Sequence, residues 1–422
     1  MDQSASTRNA SVEGAGAPEA APRTDIGFIL LVALTMSLVA MSIDTMLPAL
    51  GIIASELGAK TPNDRQLVLT AFFGGLTVGQ LVFGPLSDST GRKPALFAGI
   101  ALFIAGGLIC STTSHFGTLV WARLLQGFGA AGPRIVANAM VRDLHAGRAM
   151  ARVMSFASTV FILVPVLAPA MGQAGLSFAS WRAIFGLLVI AGLVDLLWFA
   201  ARKETLPPER RIPFSLGNIL RAGRETLTQR VTLGYTLASG FVFAALIAYL
   251  TTSQQIFQEQ YGLGERFPLY FGMLAVSIGV ASFVNAKLVM RFGMRVLSRG
   301  AVLCTTGLST LFLGFTLLQG GHPPLALFML YMVPCFFCNG LLFGNYNARA
   351  MEPVGHIAGA ASAISGSVAS LLALGLGAAF AHAYDGTVRP LITGYAVFGF
   401  LAFIATELAE RRVEPRLEEH QT

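Results

Sequence analysis

Charge is what this sequence has least of. Asp, Glu, Lys and Arg together make up 12% of its 422 residues, about half the share of an ordinary soluble domain. That scarcity excludes a single water-facing globule. Histidine is scarce too: the six copies lie near helix ends or in loops and suggest no metal site. Four cysteines, Cys110, Cys304, Cys335 and Cys338, all sit in apolar stretches, so no disulfide framework is legible. Cys335 and Cys338 have zinc-ribbon spacing, but there is no second pair and their neighbours are Phe336 and Phe337. They read as packing cysteines in a helix. A phosphate-binding glycine loop of the Walker type is missing as well, which leaves ATP-driven work without support and implies no cofactor.

Hydrophobic residues fill that space, at 54% of the chain. They form long runs, and about a dozen spans of ~20 residues fit the length. Twelve segments are legible, near 26–50, 66–87, 94–113, 116–139, 151–176, 181–201, 231–254, 267–289, 296–318, 325–347, 358–382 and 388–408. The expected fold class is therefore an all-α membrane protein of twelve transmembrane helices in two six-helix halves. The halves are 25–201 and 231–410, joined by a polar linker over 202–230 that carries Arg202, Lys203, Arg210, Arg211, Arg221, Arg224 and Arg230. Residues 1–24, rich in Ala, Ser, Gly, Pro and Glu, read as a disordered tail, and 411–422 as a second tail.

The net charge of +7 reflects topology rather than nucleic-acid binding. Most of the 29 Lys and Arg fall in the tails and in the loops joining even-numbered to odd-numbered spans. Only Lys60, Arg65, Arg182, Arg266 and Arg389 lie on the opposite side, and Arg123 and Arg134 lie within span 4. By the positive-inside rule both termini and the linker are cytoplasmic.

An internal duplication supports the two halves. The loop after span 2 reads Gly84-Pro-Leu-Ser-Asp88-Ser-Thr-Gly91-Arg92-Lys93-Pro94, and the loop after span 8 reads Met290-Arg-Phe-Gly293-Met294-Arg295. Superposing Gly91 on Gly293 also aligns Lys93 with Arg295 and puts Met290 where Asp88 would be.

At these residues the chain resembles the major facilitator superfamily, whose signature lies between helices 2 and 3. Further matches narrow the resemblance: Ser42-Ile-Asp44-Thr-Met-Leu-Pro48, Arg123-Leu-Leu-Gln126-Gly127-Phe-Gly129, Val141-Arg142-Asp143, Ala168-Pro169-Ala-Met-Gly172, Trp181-Arg-Ala-Ile-Phe185 and Glu204-Thr-Leu-Pro207-Pro208. In this order they are similar to the bicyclomycin- and chloramphenicol-resistance (Bcr/CflA) group of drug:proton antiporters, over nearly all of 26–410. Ser89 and Thr90 depart from the signature, as do Gln173 after Gly172 and Arg134 in span 4, where a small or neutral residue is expected.

An ionisable side chain in mid-membrane costs about 2.5–3.5 kcal/mol on insertion scales. The first half holds four of them, Asp44, Arg123, Arg134 and Asp195, and the sequence of the second places none deep in a span. Asp44 and Arg123 fall ~10 Å inside one face, and Arg134 and Asp195 ~10–12 Å inside the other. Two depth-matched couples follow, Asp44 with Arg123 and Asp195 with Arg134. The resemblance places Asp44 and Arg123 at the superfamily's coupling positions. The alternative is a static ion pair locking spans 1 and 4, and a static pair is the reading preferred for Asp195 and Arg134.

Gly84, Asp88, Gly91, Arg92 and Lys93 form a candidate conformational latch, or else a basic loop that only sets topology. Pro165, Pro169 and Gly172 in span 5 correspond to an antiporter motif, or else to a kink fixed by packing. Gln126, Tyr235, Phe243, Tyr249, Asn339 and Asn345 are candidates for a substrate cavity, although most aromatics in spans 7 and 10 serve packing or lipid contact. The expected activity is proton-driven efflux of small organic molecules by a monomer in a bacterial inner membrane, with no enzymatic reaction. An exporter or facilitator of an endogenous metabolite, or a membrane sensor or scaffold that has lost transport, are the alternatives.

Overall fold

A computed structural model describes residues 26–145, 147–213 and 215–411. The tails expected over 1–24 and, beyond Arg411, over 411–422 lie outside the described residues. Every regular element among those residues is helical. The first half comprises α1 (Ile26–Asp44), which passes through a short 3-10 turn into α2 (Leu50–Glu56), then α3 (Leu67–Thr90), α4 (Arg92–Thr112), α5 (Phe116–Leu144), α6 (Gly147–Phe178) and α7 (Arg182–Ala200). The linker contains α8 (Leu216–Thr228). The second half comprises α9 (Arg230–Gln254), α10 (Phe267–Leu318), α11 (Leu325–Met351), α12 (Ala358–His382) and α13 (Arg389–Glu410).

Among the described residues, eight helical stretches are long and apolar enough to cross a bilayer. Two of them, of 55 and 58 residues, are each long enough for two crossings. At 29 and 32 residues, α5 and α6 reach ~43–48 Å at 1.5 Å per residue and can cross as well. The hydropathy of α5 is diluted by Arg123, Arg134 and many Gly and Ala residues, as expected of a helix that faces other helices rather than lipid. Twelve spans are consistent with this arrangement.

Glycine sets how closely the helices approach. A Cβ at Gly75 would lie 1.9 Å from the Leu124 carbonyl oxygen, and one at Gly127 2.0 Å from that of Phe72. The backbones of α3 and α5 are therefore in contact, and no larger residue fits at either position. Within the second half, α9 packs against α12 and α13, and α10 against α11. The halves meet along α3 with α12 and α6 with α10.

The linker is not simply polar chain. Ile212 donates its N–H to the Asp88 carbonyl at 3.0 Å, and His356 meets Glu225 of α8 at 2.6 Å. The linker thus touches both halves at one end of the bundle.

Candidate functional site

A cavity of about 570 Å³ lies between the halves, walled by residues from α1, α3, α5 and α6 on one side and α9 to α12 on the other. Its charged lining residues are Asp44 and Arg134, and neutral polar groups come from Thr77, Gln80, Ser239, Asn347 and Ser370. Aromatic rings supply much of the remainder. Phe243 stands edge-on to Phe73 and to Phe343, each at 6.2 Å, and Tyr249 packs on Phe336 at 4.7 Å and Phe271 at 5.7 Å.

At the end of the bundle opposite the linker, hydrogen bonds shut this cavity. Asn63 donates to the carbonyls of His382 and Tyr384, both at 2.9 Å, and accepts from Gln255 at 2.9 Å. Gln66 donates to Gln255 at 2.8 Å and to the Ala381 carbonyl at 3.0 Å. Arg65 donates to Gln254 at 2.8 Å and pairs with Glu259. A π-helical turn over Gln255–Gln260 turns these partners toward the first half. Among the described residues, no comparable set of hydrogen bonds joins the halves at the linker end.

Asp44 is the last residue of α1 and is 4% exposed. The chain unwinds immediately after it, where Pro48 in the 3-10 turn has no N–H to offer the Asp44 carbonyl four residues back. A Cβ at Gly172 would stand 1.8 Å from the Thr45 carbonyl oxygen, so α6 presses its backbone directly on the turn that carries the carboxylate. Pro165 lies in the cavity wall, and Pro169 falls between it and Gly172 inside α6. The three span-5 positions thus reach from the cavity to the Asp44 turn.

The expected charge couples are not formed. Arg123 is fully buried, yet among the described residues it meets no carboxylate. Its guanidinium donates to the Val68 carbonyl at 3.2 Å, the Ser42 carbonyl at 2.9 Å and Gln126 Oε1 at 2.6 Å, and lies 4.4 Å over the Phe72 ring. Neutral acceptors and a ring face satisfy it, which removes the need for an ion pair. It contacts the chain two residues before Asp44, through backbone. Asp195 accepts from the Thr35 hydroxyl at 2.7 Å and is also fully buried. Arg134 instead opens into the cavity. Matching depth is insufficient because the two acids and two bases project to different neighbours.

The cavity candidates divide in the same way. Phe243 and Tyr249 line it, whereas the other four do not. Gln126 holds Arg123, and Tyr235 donates to Glu410 at 2.8 Å. Asn345 exchanges hydrogen bonds with Asn285 at 2.9 and 3.1 Å, and Asn339 is buried elsewhere in α11. Nothing in the sequence favours Gln80, Ser239 or Phe343 over these, since an apolar helix shows no contrast between a lipid face and a cavity face.

At the linker end, Gly91 has φ of 108° and separates α3 from α4. Arg92 is 7% exposed and donates to Asp143 at 2.8 Å, Asp88 at 2.5 Å and Ser87 at 3.0 Å. Glu204 accepts backbone N–H bonds from Arg92, Lys93 and Leu206 at 3.0 Å and from Thr205 at 2.9 Å. Burial opposes the charge on Glu204, but the four N–H donors outweigh it and hold the carboxyl below its ordinary range. Lys93 donates to the carbonyls of Ala200 and Arg202. Gly84 faces open space. The motif ties the first half together, and among the described residues Asp88 bonds to Arg92 and, through its carbonyl, to Ile212 of the linker.

Apolar helices of membrane-crossing length, packed in two groups around a central cavity closed at one end, define a multi-pass membrane transporter. The chain belongs to the Major Facilitator Superfamily, whose family model matches residues 29–378. It is 35% identical over 336 residues to the Bacillus subtilis (strain 168) protein named "Uncharacterized MFS-type transporter YdgK", covering 79% of this chain and 83% of that one. It is 32% identical over 368 residues to the "Bicyclomycin resistance protein homolog" of Haemophilus influenzae (strain ATCC 51907 / DSM 11121 / KW20 / Rd), covering 86% and 91%. The fold is similar to that of the xylose transporter XylE from E. coli in a partially occluded inward open conformation, with a TM-score of 0.70, 14% identity and coverage of 92% and 97%.

Proposed function

We propose that this protein is a proton-driven efflux transporter of small organic molecules, drugs or antibiotics among them, in a bacterial inner membrane. Asp44 carries the reading. It is the one carboxylate among the described residues lining the cavity, at the turn on which α6 presses. A carboxylate facing a cavity can take up a proton and release it, and a cationic group entering the cavity competes with the proton for the same oxygens. Binding of substrate and of proton at one site then exclude each other, and exchange follows as the halves rock about the cavity. The name of the Haemophilus relative agrees with drugs as cargo.

In this reading 25–201 and 231–410 are the moving halves, 202–230 is a cytoplasmic linker, and both termini are cytoplasmic. The closed end is then periplasmic, and the described state faces inward. Arg123 sets the position of the Asp44 turn through the Ser42 carbonyl. Gly84, Asp88, Gly91, Arg92 and Lys93 act as the latch, and the working unit is a monomer that catalyses no chemical reaction.

The test is ethidium efflux from proteoliposomes driven by a pH gradient. Asp44→Asn preserves shape but cannot release a proton, so gradient-driven efflux should fall at least tenfold with the extracted yield unchanged. Full efflux by this variant would remove Asp44 as the carrier. Export of an endogenous metabolite is the remaining alternative, and drug-susceptibility profiling in a pump-deficient strain separates it.

A further inference from the structure

Arg134 has no part in the exchange just described, yet it is the other charged residue in the cavity wall. It sits in α5 one residue after Pro133, half-buried, and among the described residues no carboxylate pairs with it and no group accepts a hydrogen bond from its guanidinium. A guanidinium in a largely apolar wall, without a partner, costs several kcal/mol that something must offset. Asp44 does not offset it. Phe28 of α1 stacks on His145 just past the end of α5 at 5.6 Å, and Arg123 reaches the Ser42 carbonyl. Counted at 1.5 Å per residue, the first contact puts Asp44 ~8 Å along the antiparallel axis from Arg134 and the second ~20 Å, so the two charges stand apart along the cavity. Phe73, Phe243 and the neutral polar groups line the same cavity.

We propose that Asp44 and Arg134 form a two-point site for a zwitterionic amphiphile, with an ammonium at Asp44, a carboxylate at Arg134 and an apolar or aromatic body against Phe73 and Phe243. This rests on the proposed efflux role of the cavity for the order of exchange only. A singly charged molecule meets one attractive and one repulsive group in a low-dielectric space. A zwitterion of matching length pairs both and leaves no buried charge unsatisfied. The ammonium competes with a proton for Asp44, so arrival of the proton frees that end while the carboxylate at Arg134 is unchanged.

The experiment uses rigid probes sharing one biphenyl body: 4′-aminomethylbiphenyl-4-carboxylate, its methyl ester as the cation, and 4′-methylbiphenyl-4-carboxylate as the anion. The purified full-length protein is titrated calorimetrically at pH 7 over a detergent blank. The zwitterion should bind at least tenfold tighter than either singly charged probe. Arg134→Gln should erase its advantage over the cation, and Arg134→Lys should keep most of it, which shows that the site rather than the fold was altered. Asp44→Asn should erase its advantage over the anion. No advantage in the unmodified protein, an advantage that survives Arg134→Gln, or no binding of any probe would each overturn the assignment. If ethidium still leaves proteoliposomes on a pH gradient in those cases, the efflux reading stands without it. If the zwitterion is preferred but neither it nor ethidium is driven out, the site stands and the efflux reading falls.

Discussion

Gly91 and Gly293 stand at the same turn of the two halves, and both have positive φ, 108° and 76°. Around the first, Arg92 bridges Asp88 and Asp143. Around the second, Met290 and Met294 take the places of Asp88 and Arg92, and Met290 is largely exposed. What both halves keep is a glutamate at or just past the end of their last helix. Glu204 caps the backbone of α4, and Glu410 receives Arg349, Arg295 and Tyr235. The backbone break and the glutamate tie are therefore the structural minimum of the repeat, and the Asp88–Arg92–Asp143 bridge is an addition confined to the first half. The cavity shows the same division: the first half contributes both charges, and the second contributes Phe243, Phe343, Tyr249 and Phe336.

The sharpest break in that comparison comes at glycine. A Cβ at Gly172 in α6 would meet the Thr45 carbonyl oxygen at 1.8 Å, while Gly375 in α12, one residue from the repeat-related position, faces open space. A backbone oxygen cannot rotate away as a side chain can. Gly172→Ala should cost about 3 kcal/mol, displace the Asp44 turn, and abolish efflux. Gly375→Ala should be neutral or stabilise by ~0.5–1 kcal/mol, since Ala is the better helix former. Thermal midpoints and proteoliposome efflux of the two variants check this. Equal behaviour would show that α6 does not bear on the Asp44 turn.

A smaller effect is expected at the bridge. Arg92→Met makes the first turn resemble the second and leaves Asp143, 19% exposed, without its cation. The cost should be about 2 kcal/mol, with reduced transport. The reciprocal change, Met290→Asp with Met294→Arg, adds an i,i+4 pair at an exposed site and should gain no more than ~0.5 kcal/mol. A loss of similar size in both would mean that the second half already depends on this turn.

The fold is legible because its signals are long. Runs of apolar residues, the asymmetry of basic residues and the paired glycine turns each extend over many positions. The site is legible in part. Asp44 stands out because a charge in an apolar run has few explanations, and Arg134 stands out as a departure from its family's pattern. Their partners are not legible, because depth along a helix is read from sequence while azimuth is not. Arg123 is satisfied by carbonyls of Val68 and Ser42, and backbone acceptors leave no mark in a sequence. The polar cavity wall escapes for a related reason: Gln80 and Ser239 differ in no local feature from Gln126 and Asn345, which are spent on holding other side chains.

The smallest effect concerns the shared glutamate tie and depends on pH. Burial raises the Glu204 carboxyl, but four N–H donors outweigh it and hold the group below the ordinary carboxylate range. A group with a depressed folded-state value stabilises the fold above its unfolded value, ~4.3, and that contribution is lost as pH falls through the folded value. Between pH 7 and pH 5 the tie should therefore be constant, and below about pH 4.3 it should weaken. The readout is hydrogen exchange at the amides of Arg92, Lys93, Thr205 and Leu206, corrected for the intrinsic pH dependence of exchange. Protection there should drop severalfold on acidification, and Glu204→Gln should show the lowered protection already at pH 7, with little further change in acid. Because Glu204 is only partly buried, solvent screens the tie and the effect on global stability should be small. Undiminished protection in the Gln variant would mean that Lys93, through its bonds to the Ala200 and Arg202 carbonyls, holds the turn without the carboxylate.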